Sequence, residues 1–141
     1  MALVYFDASA LVKLCVPEPG SALASALWNR ADVVVTSRIA DAEVRAALAA
    51  GERAGVLDPL TRRRGTTLWD ELSAGLHTLE VTPDVSARAA ELVASCPVPL
   101  RGADALHVAS ALAVAHEDSL VAAWDEHVAG AARSRRLRVL P

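Results

Sequence analysis

Five short runs of β-branched and aliphatic residues alternate with seven longer stretches of helical periodicity, and this alternation restricts the fold more than any other feature of the chain. Strands separated by helices pair in parallel, because a crossover must return the chain to the same edge. The pattern therefore specifies an α/β fold with a mostly parallel sheet. The strand candidates are residues 3–6, 33–36, 78–81, 119–123 and 137–140, with helices at about 9–16, 21–29, 38–53, 59–74, 83–95, 103–115 and 126–134. Asp58-Pro59 and Thr82-Pro83 each place a capping side chain before a proline at the first helical position, and Gly75 stands where the fourth helix should stop. No repeat, low-complexity tract or linker divides the chain, so residues 1–141 are expected to form a single domain.

Composition narrows the surroundings. No apolar run reaches the roughly 20 residues that span a bilayer, and Asp7 and Lys13 interrupt the amino-terminal stretch that a signal peptide would need. A cytosolic location, with no membrane partner, is the expectation. Cys15 and Cys96 stand 81 positions apart without zinc or CxxC spacing, and both are expected as buried free thiols.

The carboxylates carry the functional signal. Ligands of an open parallel sheet bind beyond the carboxyl ends of its strands, and Asp7 and Asp125 directly follow the first and fourth strands. Asp118 precedes its strand and is expected at the opposite edge. Asp104 shares a helical face with Val108, Ala111, Leu112 and Ala115, and Glu43 shares one with Ile39, Ala46, Ala47 and Ala50. Both faces read as core-directed, where a carboxylate costs desolvation unless it is paired or holds a metal. Asp41, flanked by Arg38 and Arg45, reads instead as a solvated ion-pair face. Asp7 and Asp125 could each serve simply as helix caps, but four acids converging on one edge exceed what independent capping explains.

Oxygen ligands without Cys or paired His suit a hard cation, Mg²⁺ or Mn²⁺, for which phosphodiester hydrolysis is the natural chemistry. A phosphoaspartyl phosphatase also places Asp after its first strand. Its usual DxD is here Asp7-Ala8-Ser9, however, and the only lysine, Lys13, lies on the first helix rather than after a late strand. The same objection applies to a receiver domain. Nucleotide-binding glycine motifs are absent.

Val4-Tyr5-Phe6-Asp7-Ala8-Ser9-Ala10-Leu11-Val12-Lys13, Ser37 with Glu43, Asp104-Ala105-Leu106-His107-Val108-Ala109 and Trp124-Asp125 together resemble the PIN-domain ribonucleases, most closely the VapC-type toxins of bacterial toxin-antitoxin modules. The resemblance implies a three-layer α/β/α fold whose five-stranded parallel sheet runs in order 3-2-1-4-5. It implies Asp7, Glu43, Asp104 and Asp125 as metal-holding catalytic acids around Mg²⁺ or Mn²⁺, with Ser9 supporting Asp7 or a metal-bound water. It also implies endonucleolytic cleavage of RNA, a homodimer and a cognate VapB-like antitoxin partner. One departure is Ala123, where the family often has Thr. The rival from another class is a PIN-like RNA-binding or protein-interaction module without catalysis.

His107 borders the Asp104 face and reads as a supporting residue rather than a ligand. Arg101, just before the Asp104 helix, is the candidate for substrate phosphate. The runs Arg62-Arg63-Arg64 and Arg133 to Arg138 read as solvated or ion-paired faces, and Trp69 with Leu68, Leu72 and Leu76 as an amphipathic stripe. The four site acids account for −4 of a formal charge of −3, so the rest of the chain is +1. The acidity belongs to the site.

Overall fold

The computed structural model describes all 141 residues. Its elements run β1 (Leu3–Phe6), α1 (Ala8–Cys15), α2 (Ser21–Arg30), β2 (Val33–Ser37), α3 (Ala40–Arg53), α4 (Pro59–Ser73), β3 (His77–Leu79), α5 (Pro83–Ser95), α6 (Gly102–Val114), β4 (Leu120–Ala122), α7 (Glu126–Ser134) and β5 (Val139–Leu140). The five strands form one parallel sheet in order β3-β2-β1-β4-β5, which is the order the resemblance implied. No helix is long and apolar enough to cross a membrane.

Central β1 is covered on both faces, so all four of its residues are buried and apolar rather than alternating with polar ones. Successive side chains still point to opposite faces. Leu3 and Tyr5 join a core with α5, α6 and α7, while Val4 and Phe6 join a second core with α1, α3, Trp69 of α4 and Leu27 of α2. Pairing of Val4 with both Val34 and Leu120 sets β1 in register between its neighbours, so the ends of β1 and β4 lie side by side.

The helix starts follow their caps. The side chains of Asp58 and Thr82 accept from Thr61 N at 2.7 Å and Val85 N at 3.2 Å, each with a proline at the first turn. Differences from the sequence reading fall at element ends and have local causes. β3 spans residues 77–79 rather than 78–81, because the chain leaves this outer strand after the Leu79 carbonyl accepts from Arg38 N; Glu80 is then free to pair with Arg38. Ser119 stays out of β4, since its hydroxyl closes a turn on the His116 carbonyl. Cys15 is buried as expected, but Cys96 is partly exposed because it caps the end of α5.

The Arg38–Glu80 pair also corrects the local reading of Asp41, which bonds to Arg45 and to the indole N–H of Trp69 but not to Arg38. Trp69 itself is core, at 2% exposure. In the basic runs, Arg62 pairs with Glu52, Arg135 with Glu91, and Arg133 and Arg138 donate to backbone carbonyls.

Helix α4 packs on the end of α1 through Gly65, where an added Cβ would meet Val16 Cγ1 at 2.9 Å and the Cys15 carbonyl oxygen at 3.3 Å. Gly65→Ala gains about 1 kcal/mol of helix propensity, but overpacking against a stiff, buried valine costs about 1 to 3 kcal/mol. A net loss is expected, read as a lower urea midpoint at unchanged m-value. A midpoint at or above that of the parent would show that the α1–α4 contact yields freely.

Candidate active site

The carboxyl-terminal edge of the sheet opens into a cleft of about 200 Å³. Asp7 comes from the end of β1, Glu43 from the first turn of α3, Asp104 from the first turn of α6, and Asp125 from the residue before α7. All four line the cleft, together with Ser9, Arg101 and His107. Asp118 lies at the far edge, 3.8 Å from the terminal amine.

Each acid has one oxygen committed to local structure. Asp7 Oδ1 caps α1, accepting from Ala10 N at 3.0 Å and from the Ser9 hydroxyl at 2.6 Å. Asp125 Oδ1 caps α7, accepting from His127 N and Val128 N. Asp104 Oδ2 accepts from Arg101 N at 3.0 Å in a capping box. Glu43 Oε1 lies 2.6 Å from His107 Nε2. The second oxygens of these four acids make no hydrogen bond within the protein. The capping roles weighed for Asp7 and Asp125 are thus real, and they leave half of each carboxylate over.

Burial grades the set. Asp7 and Asp104 are 2% and 5% exposed, whereas the side chains of Asp125 and Glu43 are about a third exposed. Glu43 corrects the sequence reading of its helix. The buried face of α3 is Ala40, Val44 and Leu48, while Ala46, Ala47 and Ala50 are exposed, so the Glu43 face borders the cleft instead of the core.

Burial pushes the Asp7 carboxyl up to about 6, against the lowering effects of the Ser9 hydroxyl, His107 and Ala10 N–H, with Asp125 raising it further. Ser9 also ties the site across the sheet, because its oxygen accepts from Trp124 N at 2.9 Å and Asp125 N at 3.1 Å. Arg101 is exposed and leans over the acids, with Nε 3.4 Å from Asp104 Oδ2 and a terminal nitrogen 3.9 Å from Asp125 Oδ2. His107 sits between Glu43 and the buried Tyr5 hydroxyl, 2.7 Å from Nδ1. Tyr5 escaped the sequence reading because an aromatic in a buried strand looks like ordinary core; only its hydroxyl, which needs a partner when buried, could have signalled more.

No three of the Asp, Glu, His or Cys side chains form a ready-made metal cage. A few carboxylate oxygens facing an open cleft are nevertheless what Mg²⁺ or Mn²⁺ requires, since such ions keep several waters. The unpartnered oxygens and the raised Asp7 carboxyl fit a cation at this position.

The PIN domain family matches residues 4–134. Over its full length the chain is 45% identical to ribonucleases VapC45 and VapC49 of Mycobacterium tuberculosis, from strains CDC 1551 / Oshkosh and H37Rv, covering 96% of each. Its fold matches the crystal structure of M. tuberculosis VapC20, a sarcin-ricin loop cleaving toxin, at a TM-score of 0.68 with 21% identity, over 89% of this chain and 92% of that one. It also matches VapBC2 of Rickettsia felis bound to a fragment of promoter DNA, at a TM-score of 0.64 with 12% identity, over 98% and 96%. The chain belongs to the PIN-domain family, and within that family to the VapC ribonucleases.

An acid whose folded pKa is raised binds its proton in the native state at pH values where the unfolded chain has lost it, so stability falls as pH rises from about 4 to about 6. For Asp7 the penalty at neutral pH is on the order of 3 kcal/mol. In EDTA, Asp7→Asn is therefore expected to melt several degrees above the parent at pH 7.5, with the gap closing near pH 4. A variant that melts lower at both pH values would show that the carboxylate is not under strain.

Proposed function

We propose that this protein is a Mg²⁺- or Mn²⁺-dependent endoribonuclease, the toxin of a toxin-antitoxin module, working in the cytosol. The observation that carries the reading is the set of four carboxylates, each with one oxygen held by a hydrogen bond and the other without one, lining a single cleft. Asp7, Asp104, Glu43 and Asp125 would hold the cation. When bound, it supplies charge neutralisation at the phosphate and activation of water for attack on phosphorus.

The chain's own residues do the rest. Ser9 holds Asp7 in one rotamer through its hydroxyl and fixes the backbone entering Asp125. Arg101, exposed at the cleft rim, is free to exchange its long contacts with Asp104 and Asp125 for a substrate phosphate, which its planar fork suits. Kinship with VapC ribonucleases and the fold shared with the VapBC2 complex support a cognate antitoxin as partner. Exposed Leu60 and Leu68 on α4 offer an apolar face to a second copy, in keeping with a homodimer.

Incubation with a mixed RNA pool is expected to give cleavage with Mg²⁺ or Mn²⁺ and none in EDTA. Asp7→Asn or Asp104→Asn should lower the rate about a hundredfold or more, the scale on which loss of one preorganised charged group acts. Cleavage that persists in EDTA would overturn the mechanism. A folded protein that binds RNA and cuts none under any metal condition would favour the binding module.

Arg101→Ala should weaken RNA binding by the metal-loaded protein and make its salt dependence shallower by roughly one phosphate contact. An unchanged salt slope would remove Arg101 from the substrate.

A further inference from the structure

Resting on the metal-dependent reading above, the geometry points to Tyr5 and His107 as a tautomer lock that positions Glu43 for the cation. The Tyr5 hydroxyl is buried, and a buried donor left without an acceptor is costly. The side-chain acceptor in hydrogen-bond geometry is His107 Nδ1, at 2.7 Å. The hydroxyl of Ser110, one turn further along α6 and equally buried, lies near the phenol and eases its proton affinity, but without the geometry of a hydrogen bond. A phenol carries its proton at neutral pH, so Tyr5 donates. An imidazole that accepts at Nδ1 carries its hydrogen on Nε2.

That hydrogen faces Glu43 Oε1, 2.6 Å away. The opposite tautomer would set the Nε2 lone pair against the carboxylate at the same distance, an arrangement that repels. Glu43 has no other hydrogen bond and is a third exposed, so without His107 its side chain would sample several rotamers. With Oε1 held, Oε2 is left for the ion. The lock also spans the elements that carry the acids, since Tyr5 is on β1 before Asp7, His107 is on α6 one turn after Asp104, and Glu43 is on α3. His107 and Tyr5 touch neither the ion nor the RNA in this account. They are positioning residues.

The test uses the full chain, with Mn²⁺ alone as probe. Calorimetric titration of the metal-free protein should show Mn²⁺ binding weakened about tenfold or more in His107→Leu, the range typical for loss of a group that orients a ligand. His107→Gln, which can still present an N–H to Glu43, should restore most of the affinity, and Tyr5→Phe should cause a smaller loss. Imidazole ¹⁵N spectra of the metal-free parent, with His107→Gln used to assign the signals, should show a protonated Nε2 and an unprotonated Nδ1. Tyr5→Phe should shift that pattern toward a mixture of tautomers.

A protonated Nδ1 with bare Nε2 in the parent would overturn the lock. So would full Mn²⁺ affinity in folded His107→Leu, or equal losses in His107→Leu and His107→Gln. Should the leucine variant fail to fold, Tyr5→Phe, which removes one oxygen, carries the test through its affinity and its spectrum. A parent that binds no Mn²⁺ would instead defeat the metal-dependent reading itself, and the spectra would still decide the tautomer.

Discussion

A carboxylate held at the end of the most buried strand sets the terms for the rest of this protein. β1 has a neighbour on each side and helices on each face, so the residue that follows it emerges where water reaches only through the cleft. Asp7 tolerates that position because a hydroxyl and a backbone N–H meet one of its oxygens, yet burial still raises its proton affinity. A charge in such a place is costly unless a proton or a cation offsets it. The caps on Asp104 and Asp125 follow the same division of labour, in which one oxygen secures a helix start and the other is kept out of the fold.

Much of this arrangement could be read from the sequence because its determinants are local. Strand runs, caps followed by proline and an Asp directly after a strand depend on a few adjacent residues, and all five strands and seven helices overlap the spans the pattern gives them, differing at their ends. What escaped depended on distant partners or on ambiguous faces. Arg38 pairs with Glu80, 42 positions away, rather than with Asp41 in the next turn. The alanines of α3 gave no contrast between its faces, so helical phase alone assigned Glu43 to the core when the buried line is Ala40, Val44 and Leu48. The Tyr5 hydroxyl gained meaning only once His107, 102 positions later, stood beside it.

The charge distribution now has a physical interpretation. A chain of formal charge −3 whose non-site remainder is +1 concentrates its repulsion of phosphate in one cleft. Four carboxylates in one cleft oppose a polyanion unless cations offset them. The exposed arginine at the rim, beside Asp104 and Asp125, is a cationic group at the mouth of this acidic cleft.

The Ser9 hydroxyl joins the first helix to backbone 115 and 116 positions further on. Asp7, Glu43 and Asp104 all precede β4 in the chain, whereas Asp125 and the backbone that Ser9 binds follow it. Residues 119–141, about a sixth of the chain, thus supply both the fourth acid and the two amides that the first helix binds, so the cleft closes on itself only where the two ends of the polypeptide meet.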